Sequence, residues 1–173
     1  MPTLTDMVFG NSILDWVLGG LVTIVSLVVL PLLKKYLLKR LRRLATRTKT
    51  DTDDLLVEVL GSTRGFAFLV FALFMGISML TIPDSALRMI HHAFMILLFL
   101  QGALWGNAAI AFLQSKYTRQ EEGKDPPATA AVRTLAAVAR IIVWGLAGLL
   151  ALDNLGLNVT GLVAGLGIGG IAV

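Results

Sequence analysis

The sequence contains no cysteine and few charged residues, which make up 15% of its 173 residues. Without cysteine, this stretch cannot form disulfides, thiolate metal sites or a catalytic thiol. Carboxylates are rare inside its apolar segments, where only Asp15 and Asp153 occur, each close to a segment end. Coupled transporters usually place an ionisable group or a broken helix near the middle of the membrane. The sequence therefore offers little for acid–base catalysis or ion coupling.

Recognisable enzyme motifs are also missing. There is no phosphate-binding loop with its lysine, no Ser/His/Asp arrangement and no metal-ligand cluster. Gly165, Gly167 and Gly170 match the spacing of a dinucleotide-binding turn, but no strand precedes them and no acidic residue follows. His91 and His92 have no further ligand at a suitable spacing, so we expect a neutral pair at the membrane interface. We predict a non-enzyme without cofactor or metal.

Hydrophobic residues, by contrast, make up 56% of the chain, and the mean hydropathy is +0.80. These values indicate an integral membrane protein. Apolar segments near the roughly 20 residues needed to cross a bilayer lie at 13–33, 66–82, 93–113, 135–152 and 155–173. No basic n-region precedes the first segment, so it is predicted to be a retained helix rather than a signal peptide. We expect an all-α membrane protein with five transmembrane helices.

The positive charges are distributed unevenly between the links. Nine of the 15 Lys and Arg residues lie in 34–64 and four in 114–134, whereas 1–12 has none. By the positive-inside rule, both basic links are cytoplasmic. The N-terminal residues 1–12 are then periplasmic, the C-terminus is cytoplasmic, and the protein is a multi-pass protein of the inner (plasma) membrane.

The first basic link begins with leucines at helical spacing from Pro31 to about Thr48, which predicts a helix along or near the inner membrane face. Its charges either contact anionic lipid headgroups, at about 1 kcal/mol each, or merely fix topology. Thr52, followed by two aspartates, predicts the N-cap of a second helix. The candidates for headgroup contact are Lys34, Lys35, Lys39, Arg40, Arg42, Arg43, Arg133 and Arg140.

In the second link, Pro126-Pro127 predicts an extended turn, with the fourth helix starting near Leu135. Arg140 then lies about a third of the way into the membrane. Its guanidinium either snorkels to the interface or holds a lipid phosphate or an acidic partner between helices.

The last segment, 155–173, is the most distinctive. It has no ionisable residue, and Gly161, Gly165 and Gly169 recur every four residues, on one face of a helix. Small residues of this kind let membrane helices pack closely. Gly167, Gly170, Ala164 and Ala172 add small residues on other sides, as expected for a helix packed between two neighbours in a ring around a pore. Asn158 or Thr160 is a plausible N-cap.

The pattern L-G-x-x-x-x-x-x-x-A-x-x-G-x-x-G-I-A-V over 155–173 resembles the pore helix of small-conductance mechanosensitive (MscS-like) channels, and its ending resembles their five-helix, low-conductance branch. The resemblance implies that Ile171 forms the first hydrophobic gate ring. It also implies helix contacts at Ala164, Gly167, Gly170 and Ala172, a homoheptamer, and a cytoplasmic vestibule beyond these residues, so that the chain ends inside the pore helix. Ile168 departs from the pattern, because the family has a small residue there.

Three functions follow as hypotheses. The first is a channel opened by membrane tension, which releases ions and small osmolytes on hypo-osmotic shock and has membrane lipids and its own copies, but no nucleic acid, as partners. In it, 13–152 forms four lipid-facing helices and 155–173 the first part of the pore helix. The second is a secondary transporter or exporter, and the third is a non-conducting membrane scaffold. A high-order ring favours the channel, whereas a monomer or dimer favours the others.

Overall fold

The computed structural model describes residues 7–45, 51–120 and 126–172. These residues are almost entirely helical, which confirms the all-α prediction apart from one small hairpin. In chain order the elements are β1 (Met7–Val8), β2 (Asn11–Ser12), α1 (Ile13–Ala45), α2 (Asp51–Gly61), α3 (Gly65–Ile77), α4 (Asp84–Gln120), α5 (Pro126–Asn154) and α6 (Thr160–Ala172).

The N-terminal hairpin was not predicted from the sequence. Its strands are joined by Phe9 and Gly10, both with positive φ (53° and 81°), as in the two-residue turns that favour hairpins. Asn11 is 4% exposed and fastens the hairpin to the loop before α4. Its amide nitrogen donates to the Thr81 carbonyl at 2.9 Å, and its amide oxygen accepts from the Thr81 N–H at 2.6 Å.

Helix α1 begins with a reciprocal cap. The Ser12 N–H and hydroxyl donate to Asp15 Oδ2 at 2.9 and 2.7 Å, and the Asp15 N–H donates to Ser12 Oγ at 3.2 Å. The helix then runs through Pro31 and into the basic residues as one element of 33 residues. The predicted helix from Pro31 is therefore confirmed as far as Ala45, and it is continuous with the first apolar segment. Residues 46–48 lie outside the described part of the chain.

The predicted second segment, 66–82, is shorter in the structure. Helix α3 spans Gly65–Ile77, and its axis is bent by 71° from that of α2 across residues 62–64. Helix α2 begins at Asp51, so Thr52 lies in its first turn and is not the N-cap that we predicted.

The prediction that Pro126-Pro127 forms an extended turn is wrong, because α5 begins at Pro126. The first turn of a helix tolerates proline, since its N–H groups have no partner within the helix. Helix α5 therefore starts nine residues before the predicted Leu135 and reaches Asn154.

Between α5 and α6 the chain turns through residues 155–159. The N–H of Leu157 donates to the Leu152 carbonyl at 3.1 Å, and that of Gly156 to the Asp153 carbonyl at 2.9 Å. This is the Schellman pattern, which requires the left-handed φ of 81° found at Gly156. Asn158 Oδ1 then accepts from the N–H of Thr160, the first residue of α6, at 3.0 Å. The first helical bond runs from the Val163 N–H to the Val159 carbonyl, so Val159 holds the N-cap position that we predicted for Asn158 or Thr160.

The helices form an open array rather than a closed core. Helix α1 packs on α2 and α3, both of these contact α4, and α4 packs on α5. The buried apolar residues of the described chain are all alanines: Ala72, Ala103 and Ala136. Large apolar side chains such as Ile24 and Ile141 are 65% and 72% exposed. Surfaces of this kind suit lipid or further protein, and not water.

Three described helices, α1, α4 and α5, are long and apolar enough to cross a membrane, and α2 with α3 would add a fourth if they form one bent span. Helix α6, with 13 residues, is shorter than the roughly 20 that a span requires. The structure thus indicates a multi-pass membrane protein. Five spans remain a prediction.

Candidate pore helix and its supports

Helix α6 carries no charged side chain and makes no extended contact with any other element of the described chain. A Cβ placed on Gly161, Gly165, Gly167 or Gly170 would meet nothing within 4 Å. Leu162 and Val163 are 53% and 50% exposed. These glycines and these two large side chains of α6 are therefore uncovered in a single chain.

The structure brings the predicted packing residues onto one continuous helix, but it leaves their partners unidentified. Ile171 and Ala172 belong to the last turn of α6. Their side chains lie outside the part that the structure describes, as do those of Ile168 and the surroundings of Gly169. The gate role of Ile171 and the packing roles of the small residues stay predictions.

Helix α5, which leads into α6, is fixed to α4 at three levels. At one end, His92 Nδ1 lies 3.2 Å from Asn154 Oδ1, so the ring N–H can donate to the amide oxygen. In the middle, α4 and α5 approach closely, because a Cβ on Gly106 would lie 2.8 Å from Val143 Cγ1. These contacts connect the position of α6 to that of α4.

Arg140 makes the third link. Its Nη2 donates to Gln114 Oε1 of α4 at 2.7 Å. The sequence predicted either snorkelling or a partner between helices, and the structure gives Arg140 a neutral partner on the adjacent helix. Because the guanidinium has five N–H donors, this bond leaves capacity for a phosphate or carboxylate oxygen. Arg133 is exposed seven residues earlier on the same helix.

Lys34 of α1 forms hydrogen bonds to the backbone at the α2–α3 break. Its Nζ donates to the carbonyls of Gly61 and Thr63 at 2.8 and 2.7 Å and lies 5.9 Å from the centre of the Phe68 ring. It therefore satisfies carbonyls that the α2–α3 break leaves without helical partners. From the sequence, Lys34 is a candidate for headgroup contact or for fixing the topology alone. Its role at the break was missed because the contact spans 27 residues or more.

Most of the remaining basic residues of α1 lie along a shared groove, and Arg40 is the one that does not line it. Lys35, Lys39, Arg42 and Arg43 line it together with Pro31, Leu38 and Lys34. The groove therefore combines cationic side chains with two apolar residues, a combination that suits a lipid headgroup layer. The structure brings these predicted residues together, whereas Arg133 and Arg140 belong to α5.

Helices α1 and α3 meet through small residues. A Cβ on Gly76 would clash with Thr23 Oγ1 and lie 2.6 Å from the Gly19 carbonyl oxygen. Thr23 Oγ1 itself donates to that carbonyl at 2.9 Å. The result is a backbone-to-backbone crossing of the kind that holds membrane helices together.

The C-terminal part of this arrangement matches a known protein family. Residues 138–173, which cover the second part of α5 and all of α6, match the family described as "Mechanosensitive ion channel, transmembrane helices 2/3". The matched segment contains the uncovered glycine helix. It also contains Arg140 and Asn154, which fix α5 to α4.

Two curated relatives from Methanocaldococcus jannaschii match almost the entire chain. The small-conductance mechanosensitive channel MscMJ is 25% identical over 96% of this chain. The large-conductance mechanosensitive channel MscMJLR is 24% identical over 98% of it. The chain spans 48% of the length of each relative. No solved structure matches the chain significantly.

Proposed function

We propose that the chain is a member of the MscS-like family of mechanosensitive ion channels, which its similarity to MscMJ and the family match at residues 138–173 support. We further propose that it forms the membrane part of a tension-gated channel, in which several copies line one pore with α6. The observation that carries this proposal is that the glycines of α6 are uncovered on more than one side of the helix, at Gly161 and Gly165 on one face and at Gly167 and Gly170 on others. In lipid, a helix gains little by leaving small residues exposed, whereas packing against another helix through them is favourable. Neighbouring copies of α6 would supply that packing, and seven copies are the number that the family resemblance implies.

The pore would be closed by exclusion of water. Helix α6 has no charged residue that could attract ions or hydrate a narrow passage. Apolar constrictions of this kind gate by dewetting. We assign Ile171 to the first such ring, and Gly161, Ala164, Gly165, Gly167, Gly169, Gly170 and Ala172 to contacts between neighbouring pore helices.

Membrane tension would act through the helices before α6. Their exposed apolar side chains suit contact with lipid, and the α4–α5 links at His92, Gly106 and Arg140 connect their movement to α6. Tension favours the state with the larger area in the membrane plane. To move the channel from about 1% to about 99% open, tension must supply a difference of roughly 5.5 kcal/mol.

The predicted topology is part of the same proposal. With α3 as the second span, α2 in the cytoplasmic link 34–64 and α6 extended beyond residue 172, the chain crosses an inner membrane five times. The basic groove of α1 then faces the cytoplasmic headgroups, where Lys35, Lys39 and Arg42 would contact lipid phosphates. Arg40, Arg43, Arg133 and Arg140 are further candidates, and Lys34 has a second role at the α2–α3 break. The release of ions and small osmolytes on hypo-osmotic shock follows from such a channel.

Flux from liposomes tests the proposed function. The full-length protein is reconstituted into liposomes loaded with a self-quenching anionic dye and subjected to a graded osmotic downshift. The proposal predicts dye release that begins above a threshold downshift and is absent from protein-free liposomes of the same lipid. If release is absent while the protein is shown to be inserted, the exporter and scaffold functions are favoured instead.

A further inference from the structure

A cavity of about 250 Å³ lies between α1, α3 and α4, beside the α2–α3 break. Its wall is almost entirely apolar and includes Leu30 of α1, Ala67 and Phe71 of α3, and Leu98 of α4. Phe94 closes part of it and stacks on Phe74 with ring centres 4.1 Å apart. The cavity is distant in sequence from α6 and is not explained by a pore.

Gln101, one residue of this apolar wall, has a polar side chain. Gln101 of α4 is 3% exposed, and neither Nε2 nor Oε1 has a hydrogen-bond partner among the residues that the structure describes. A buried amide without partners has lost its hydrogen bonds to water and has formed none within the protein, which costs free energy. Groups of this kind call for an explanation, such as a bound molecule that supplies the missing bonds.

The other polar side chains of the wall already have partners. Thr63 Oγ1 accepts from Trp105 Nε1 at 3.0 Å, and the Thr63 carbonyl accepts from Lys34. None of the described residues lining the cavity carries a charge. Gln101 therefore sets the chemistry of a ligand: one donor, one acceptor and no net charge.

We propose that this cavity binds an uncharged amphiphile, whose hydroxyl group both donates to and accepts from the Gln101 amide and whose apolar chain lies against Leu30, Phe71 and Leu98. The size of the cavity supports a small ligand, since it is below the roughly 300–1,000 Å³ of sites for drug-sized molecules. A partner helix would not fit, and a two-chain lipid could place only its hydroxyl end and part of one chain in the cavity. The hydroxyl can come from a membrane diglyceride or from a free alcohol. This inference does not depend on ion conduction.

Photolabelling of the full-length protein, reconstituted in synthetic phosphatidylcholine vesicles, tests the proposal. The probe is octan-1-ol carrying a diazirine on its chain, and the matched probe is the same molecule without the hydroxyl. Mass spectrometry then locates the labelled peptides. We expect saturable labelling of the α3 and α4 residues of the wall by the alcohol, reduced by excess octan-1-ol and unaffected by excess octane. Equal labelling by both probes, or competition by octane, would overturn the proposal without any variant being needed.

Gln101→Leu should reduce saturable labelling about tenfold, which corresponds to the loss of roughly one hydrogen bond. The matched control is Gln114→Leu, which removes an amide from the same helix away from the cavity and should leave wall labelling unchanged. Ala67→Phe should block labelling by filling the space while Gln101 remains. Unchanged labelling in Gln101→Leu contradicts the proposal. Competition by dioleoylglycerol assigns the site to a membrane lipid, and competition by octanol alone assigns it to a free alcohol.

Discussion

Gly19 of α1 lies so close to α3 that a Cβ added to it would be 2.8 Å from the carbonyl oxygen of Gly76. We therefore expect Gly19→Ala to separate the two helices and to destabilise the protein by about 1–3 kcal/mol, the usual cost of overpacking. The measurement is thermal unfolding of the purified protein in detergent. The matched control is Gly20→Ala on α1, where a Cβ would meet nothing within 4 Å. Equal stability of the two variants would show that the close crossing is unimportant.

Replacing Lys34 with methionine should loosen the α2–α3 break. The variant removes the hydrogen bonds to the Gly61 and Thr63 carbonyls but keeps most of the apolar stem. Hydrogen bonds to charged groups contribute about 1.5–3 kcal/mol. We expect faster hydrogen exchange of the amides at 61–67, measured by mass spectrometry. Lys35→Met, one residue later, should leave their exchange unchanged, and the same acceleration in both variants would argue against the assigned role of Lys34.

The bond between Arg140 and Gln114 predicts an energetic coupling between α4 and α5. In a double-mutant cycle of Arg140→Leu and Gln114→Leu, we expect a coupling of about 1.5–3 kcal/mol in the free energy of unfolding, the range for a hydrogen bond to a charged group. Arg140→Leu should also reduce the amount of anionic lipid that copurifies, whereas Gln114→Leu should not. If Arg140→Leu changes neither lipid retention nor the opening threshold, the guanidinium has no role in holding phosphate.

The glycine face of α6 predicts a defect in assembly without a defect in folding. A Cβ added to Gly165 would meet nothing within 4 Å in the single chain, so we expect the Gly165→Leu protomer to fold as before. If copies of α6 pack through this face, the bulky side chain should dissociate the oligomer, which native mass spectrometry would detect. Gly148→Leu on α5 is equally unobstructed in the protomer and serves as the control. A full-sized oligomer with Gly165→Leu would exclude this face as the contact.

The sequence predicted much of the helical architecture because long apolar runs in a membrane leave few alternatives to helix. It also placed the start of α6 to within one residue and singled out Asn158, whose side chain accepts from the first N–H of that helix, since such bonds depend on the nearest residues. The prediction failed at Pro126-Pro127, where the same residues can either end a helix or begin one. The hairpin was missed because its anchor is the pairing of Asn11 with Thr81, which are 70 residues apart.

In the candidate site, too, local features could be predicted from the sequence, whereas contacts between distant residues could not. The glycine spacing of α6 is local, so it could be recognised in the sequence. The roles of Lys34 and Gln101 depend on which helices pack together, and no periodicity gives that information. Gln101 did offer one signal, as an amide within an apolar segment. The contacts of α6 cannot be found in one chain at all if they are made with other copies.

The central claim, that α6 lines and gates a pore under tension, is tested most directly by patch-clamp recording of the full-length protein in liposomes with suction ramped towards the lytic limit. We predict discrete openings above a reproducible tension. Ile171→Ser should lower that threshold tension or make the channel leak, because the hydroxyl would let water into the apolar ring. A membrane that stays silent with protein present would contradict the claim. Openings whose threshold is unchanged by Ile171→Ser would remove Ile171 from the gate.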